Sequence, residues 1–161
     1  MRHESPPQVS RKRDALCCRL HTDGAARGNP GEAGAGIILY DADNRELAGR
    51  SCYLGRCTNN VAEYRALILG LETAREMGCS ELRIFLDSEL VVRQIRGTYR
   101  VKSADLKPLH ARAMELLAGF HRWRIHHVAR SENRCADALA NQGIDEKKTA
   151  AGGCNPGYNT V

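Results

Sequence analysis

Residues 20–40 read LHTDGAARGNPGEAGAGIILY. An apolar run ends in a carboxylate, Asp23, two glycine-rich turns follow, and a second apolar run begins. Asp-Gly between apolar segments is a strong hairpin signal, so the plain reading makes Asp23 a turn residue. The other reading sets it at the lip of a central strand, with its side chain in a crevice. The rest of the chain decides between them.

Working outward, ALCCRLH (15–21) and AGAGIILYD (33–41) have the character of strands, the second almost continuously apolar. DADN (41–44) makes a tight turn into a weaker strand, ELAGRSCYL (46–54). TNNVAEYRALILGLETAREMG (58–78) then carries Val61, Ala62, Tyr64, Leu67, Ile68, Leu71 and Ala74 at helical spacing and stops at Gly78. ELRIFLD (81–87) is a fourth strand, SELVVRQIRG (88–97) a short helix and SADLKPLHARAMELLAGF (103–120) a longer one. RWRIHHV (122–128) is a fifth strand, and SENRCADALANQG (131–143) a last helix ending at Gly143. Three consecutive antiparallel strands followed by crossovers predict an α/β mixed sheet with helices on its faces.

The chain has 161 residues, 42% hydrophobic and 27% charged, which fits one soluble domain with a substantial core. Residues 1–14 and 146–161 lack an apolar period and read as a basic N-terminal arm and a C-terminal tail, both disordered, around a domain at 15–145. No apolar run reaches membrane-spanning length and no signal peptide opens the chain, so a cytoplasmic monomer is expected. The seven cysteines, with no Cys-x-x-Cys, suit reduced packing thiols. Net charge is +5. Part of that sits in the arm, where Arg2, Arg11, Lys12 and Arg13 face Glu4 and Asp14, and the mild surplus left over points weakly to a nucleic-acid partner.

Four acids stand where elements begin or end: Asp23, Glu63, Asp87 and Asp137. Each has a structural alternative. Asn60-x-x-Glu63 fits a capping box, Asp87 could cap the following helix, Asp137 could be a solvated helix acid, and Asp23 a turn residue. Jointly they read differently. A crossover joins neighbouring parallel strands, and the C-terminal ends of parallel strands form the crevice where such sheets bind ligands. Four carboxylates in one crevice would repel one another and raise their own pKa values unless a cation joined them. Mg2+ favours carboxylates, water and phosphate oxygens, and two ions about 4 Å apart suit phosphoryl displacement without a protein nucleophile. No Gly-x-Ser-x-Gly, Walker loop or His-Glu-x-x-His offers a rival chemistry.

TDGAARGNPGEAGAG, GRCTNNVAEYRAL, LDSELVVRQIRG, VKSADLKPL and HVARSENRCADALAN, in this order and spacing, closely resemble ribonuclease H of type 1 from about Leu16 to Gly143. The resemblance implies the ribonuclease H fold, a five-stranded mixed sheet in the order 3-2-1-4-5. It implies hydrolysis of the RNA strand of RNA–DNA hybrids with two Mg2+ ions (Mn2+ as a substitute), leaving 5′-phosphate and 3′-hydroxyl ends. The family's metal-binding acids fall on Asp23, Glu63, Asp87 and Asp137. Asn29, Asn59 and Asn60 match positions that line the hybrid's minor groove, where Glu63 also meets a ribose 2′-hydroxyl. Arg56 and Thr58 match a pocket for a DNA-strand phosphate, with helix capping as the structural alternative for Thr58 and Asn59.

Three departures follow. The family's lysine-rich insertion between the middle helices is missing, and the run Arg93, Arg96, Arg100 and Lys102 is its candidate substitute, with a solvated face as the alternative. Ser103 stands where the family often has Asn. The flexible-loop histidine is absent from VARSENRCAD, which leaves Arg130 as the nearest basic group, while His126 and His127 read as structural. Two alternatives stay open: a relative that also cuts double-stranded RNA, and a hybrid-binding module without catalysis.

Overall fold

The computed structural model describes residues 16–147, so the arm and nearly all of the tail lie outside the described residues. Five strands form one mixed sheet: β1 (Cys17–Gly28), β2 (Gly31–Asp41), β3 (Glu46–Cys57), β4 (Glu81–Leu86) and β5 (Arg122–His127). Their order is β3-β2-β1-β4-β5, as expected. The β1–β2 and β2–β3 pairs are antiparallel, and β1–β4 and β4–β5 are parallel. Among the described residues there are four α-helices: α1 (Asn59–Glu76), α2 (Glu89–Arg96), α3 (Lys107–Leu117) and α4 (Arg134–Glu146). None of the described helices is long and apolar enough to cross a membrane.

The layering follows from the period-2 alternation of β1. Cys18, Leu20 and Thr22 are buried on the face that meets α1, where Tyr64, Leu67, Ile68 and Leu71 are fully enclosed. The opposite face of β1, β2 and β3 is covered by α4. A side chain at Gly24 would overlap the carbonyl of Ala62, so glycine there lets α1 lie directly on β1. Gly143 plays the same part for α4, whose backbone rests against that of Cys52.

That contact corrects one boundary. α4 does not stop at Gly143 but continues to Glu146, because this glycine is a close-packing position and not a terminator. β1 also outruns expectation. Its parallel pairing with β4 ends at His21–Phe85, yet its antiparallel pairing with β2 continues through Asp23 to Gly28. Asp23 is therefore within a strand and is no turn residue. α3 begins at Lys107, later than expected, with a proline in its first turn.

The cysteine expectation fails in part. Cys18 and Cys79 are joined as a disulfide with Cα atoms 6.1 Å apart, whereas Cys57 and Cys135 remain thiols. β1 runs beside β4 and the segment leading into it, which brings together two residues 61 apart in sequence.

Candidate active site

Asp23 leaves β1 just beyond the last residue paired with β4, and Asp87 follows the end of β4 directly. Glu63 arrives from the first turns of α1. It is not in a capping box: Thr58 caps α1, its Oγ1 accepting from the Val61 N–H at 3.2 Å. Glu63 instead accepts from the Gly24 N–H at 3.3 Å, so the strand that carries Asp23 orients it. Asp87 does not cap α2 either, because Ser88 does so with its Oγ accepting from Val91 N–H at 3.3 Å. The structural alternatives for both acids are thereby taken by their neighbours.

One oxygen from each of Asp23, Glu63 and Asp87 lies within 4.8 Å of the others. Asp137 is outside this triple but lines the same cavity of about 580 Å³, together with Arg130, His127 and Asn59. Asp23 is 4% exposed. Burial, then the charges of Glu63 and Asp87 and a hydrogen bond shared with Asp137, push its pKa up to about 10. Burial and Asp87 push Glu63 up to about 8, against the Gly24 amide and the Arg130 charge. An all-oxygen, crowded and undercompensated donor set of this kind fits a hard divalent cation such as Mg2+.

Asn133 sets the position of Asp137, and sequence reasoning missed it. It is 2% exposed, its Nδ2 donates to the Thr22 carbonyl at 2.9 Å, and its Oδ1 faces His21 Nδ1 at 3.2 Å. The Asp137 N–H donates to the Asn133 carbonyl at 3.1 Å, so the start of α4 is pinned to β1. His127, which the sequence suggests is structural, is exposed and lines the cavity. A histidine at the end of a strand bordering the crevice was the available signal. Arg130 opens a short 3-10 turn, Arg130–Glu132, with its side chain 78% exposed and Nη2 3.8 Å from Asp137 Oδ1.

One flank of the cavity is tightly ordered. Asn29 Oδ1 accepts from the Asn59 N–H at 3.0 Å, and Asn59 Oδ1 accepts from the Ala26 N–H at 3.1 Å. Asn60 and Arg56 are exposed beside them. The other flank is less united than the sequence suggested. Arg96 donates to the Ile125 carbonyl at 2.6 Å, and Arg93 is held by Glu89 and by the Tyr99 ring 5.2 Å away. Arg100, Lys102 and Ser103 share a separate shallow cavity with Asn60. Tyr99, beneath Arg93, lines that cavity as well, whereas Arg96 is turned to β5.

Residues 21–143 match the family described as Reverse transcriptase-like. The chain is 45% identical to Ribonuclease HI of Halobacterium salinarum over 130 residues, 80% of this chain and 65% of that protein. It spans only 36% of the bifunctional protein Rv2228c of Mycobacterium tuberculosis. The N-terminal RNase H domain of that mycobacterial protein superposes with a TM-score of 0.80 at 42% identity, covering 82% of this chain and 96% of the solved one. An RNase H1 designated LC11, isolated from compost and solved in complex with an RNA/DNA hybrid, gives a TM-score of 0.77 at 39% identity, covering 81% and 98%. With sheet order, acid constellation and family match in agreement, the chain belongs to the reverse transcriptase-like family, among its ribonuclease HI members of short form that lack the basic insertion between the middle helices.

Proposed function

We propose that the chain is an endoribonuclease that hydrolyses the RNA strand of RNA–DNA hybrids, leaving 5′-phosphate and 3′-hydroxyl ends. The observation that carries this reading is the convergence of Asp23, Glu63 and Asp87 within 4.8 Å, in a cavity that Asp137 also lines. The likeness to an RNase H1 solved with an RNA/DNA hybrid supports the substrate class. Asp23, Glu63, Asp87 and Asp137 would hold two Mg2+ ions, with Mn2+ as a substitute. Such ions neutralise a phosphodiester and make water nucleophilic near neutrality, which hydrolysis without a protein nucleophile requires.

The remaining roles fall to polar groups around the acids. Asn29 and Asn59 spend their oxygens on backbone amides, which leaves each NH2 to donate into the minor groove, with Asn60 alongside. Glu63 accepts from a ribose 2′-hydroxyl, the group that separates RNA from DNA. Arg56 and Thr58, at the N-terminus of α1, grip a phosphate of the DNA strand. Ser103 and Arg100 reach the same strand further along, and Arg130 draws the scissile phosphate toward the acids. All four acids come from one chain, so a monomer suffices, and the cytoplasm is its place of action. Residues 15–145 form the catalytic unit.

The test is a cleavage gel comparing a labelled hybrid, a double-stranded RNA and a DNA duplex, each with and without Mg2+. Cleavage of the hybrid alone, and only with metal, is expected. Cutting of double-stranded RNA at a similar rate would widen the substrate class. An intact hybrid under all conditions would overturn the assignment.

A further inference from the structure

The sheet face that carries Asp23 and Asp87 reverses its charge toward the far end of the strands. Strand register sets Arg19, Arg83 and Arg124 side by side on β1, β4 and β5, and sets His21, Phe85 and His126 side by side one step nearer the acids. Asp23 and Asp87 come one further step along. From Arg83 to Asp87 the strand rise is about 13 Å.

On this face α4 covers β1, β2 and β3, and Arg83 and Arg124 are exposed. Like charges directly opposite on neighbouring strands repel. Arg19 is partly engaged, donating to Asn44 Oδ1 at 2.6 Å and lying 4.6 Å over the Tyr40 ring. Among the described residues, Arg83, Arg122 and Arg124 make no hydrogen bond or ion pair through their side chains. Together with Arg19 and Trp123 they line a depression of about 330 Å³. Glu81 and Asp41 line it too, but Asp41 is held by Arg45 and Glu81 accepts from the Cys17 thiol.

The row beside the arginines is a continuous ring stack. His21 and Phe85 have centroids 5.0 Å apart at 20°, and Phe85 and His126 5.1 Å apart at 22°. Burial and the neighbouring Arg96, Arg83 and Arg124 hold His126 below the usual imidazole pKa. β5 is an edge strand, so His126 ends the stack, next to the Ile125 carbonyl that Arg96 of α2 engages.

Arginines beside a flat ring surface are the combination by which proteins hold single-stranded nucleic acid. Three strands span about 10 Å, room for one phosphodiester chain. In composition, residues 1–15 are net basic, and residues 148–161 contain Lys148 and no acidic side chain. We propose that this open face is a nucleic-acid contact outside the cleft, holding the phosphates of one single strand on Arg83, Arg124 and Arg19, with a base against the outer ring of His126. The contact goes beyond hydrolysis and does not require metal.

The test uses the full chain in EDTA and measures fluorescence anisotropy of labelled single-stranded RNA and DNA of about 12 nucleotides. The double variant Arg83→Ala/Arg124→Ala should weaken binding about 10-fold and make the salt dependence shallower by about 1.4 in log–log slope, two phosphate contacts on a single strand. Arg83→Lys/Arg124→Lys should keep the slope, and His126→Ala should weaken binding without changing it. Hydrolysis of a short blunt hybrid in Mg2+ should be the same in wild type and the double alanine variant, which separates this contact from the cleft. Unchanged affinity and slope in the double alanine variant would overturn the proposal, returning the arginines to solvation of an edge strand. Equal displacement of the strand by polyglutamate would overturn the choice of partner.

Discussion

Two groups of carboxylates in this chain are treated in opposite ways. At the rim, Asp41 Oδ1 accepts from the backbone amides of Asp43 and Arg45 at 2.8 and 2.9 Å, and Glu89 accepts from Arg93 at 2.9 Å. The Arg45 amide holds the Asp41 carboxyl below its ordinary pKa, and the Arg93 guanidinium does the same for Glu89. In the cleft, Asp23 is buried and Glu63 half-buried next to further carboxylates, and they are pushed up to about 10 and about 8. A fold that satisfies its peripheral acids so fully has no structural need for the cleft arrangement. What would stabilise the cleft acids as anions has to come from outside the chain, as a cation.

The sharpest way to break that contrast is to remove one cleft charge. Asp23→Asn or Asp87→Asn should slow hybrid cleavage by at least ~10³-fold, since metal ions supply several kcal/mol of transition-state stabilisation. The same change relieves repulsion among crowded acids, so calorimetry in EDTA should show a melting temperature equal to or above wild type. Near-normal cleavage by both variants would end the metal reading. A large loss of stability would make these acids structural, as Asp41 is.

pH separates the two groups without mutation. Asp23 and Glu63 have folded-state pKa values raised above those of the unfolded chain, near ~4, so in metal-free protein their contribution is complete below about pH 4. It is lost as pH rises toward about 8 and then about 10. Asp41 and Glu89, with lowered values, contribute above about pH 4 and lose that contribution as pH falls. Metal-free melting temperature should therefore decline from pH 5 to 9 (roughly the span between unfolded and folded values), and saturating Mg2+ should flatten the decline. Identical profiles with and without Mg2+ would remove the contrast.

Gly24 joins the groups geometrically. Its close approach to Ala62 brings Glu63 against β1. Gly24→Ala should cost about 1–3 kcal/mol of stability in denaturant titration and lower activity by displacing Glu63. Asp41→Asn should shift the melting temperature by about 2 °C or less and leave activity alone. A harmless Gly24→Ala would show that Glu63 does not depend on this contact.

Most of this was legible in the sequence because Glu63, Asp87 and Asp137 sit near element boundaries and Asp23 lies just past the last β1–β4 pair, and element order alone brings such positions together. What was hidden depends on tertiary contact. Asp23-Gly24 has the local chemistry of a turn, and only the close approach of α1 explains glycine inside the strand. Gly143 looks like a helix stop because its packing partner, Cys52, is distant in sequence. Arg96 sits in a basic run, but its attachment to the Ile125 carbonyl arises from α2 lying against β5. Cys18 and Cys79 meet through the β1–β4 adjacency, which no cysteine spacing encodes. Asn133 resembles any loop asparagine until Thr22 and His21 are placed beside it.

The smallest expected effect concerns Arg130, the cation that approaches the cleft acids. If it served Asp137 as Arg45 serves Asp41, removing it would cost stability. Its side chain is 78% exposed and 3.8 Å from Asp137, a solvated pair of little energetic weight, so Arg130→Ala should leave melting unchanged. Turnover should fall by about 3- to 10-fold, the weight of one partly screened phosphate contact, and Arg130→Lys should restore part of it because only charge is needed. A guanidinium cannot exchange protons near neutrality, so the pH–rate profile should lack a histidine-like inflection. His127, exposed at the same cavity, is the rival. A histidine-like inflection that disappears in a folded His127→Ala variant would move the role to that residue, and full activity in Arg130→Ala would leave the cleft acids with no functional cation from the chain at all.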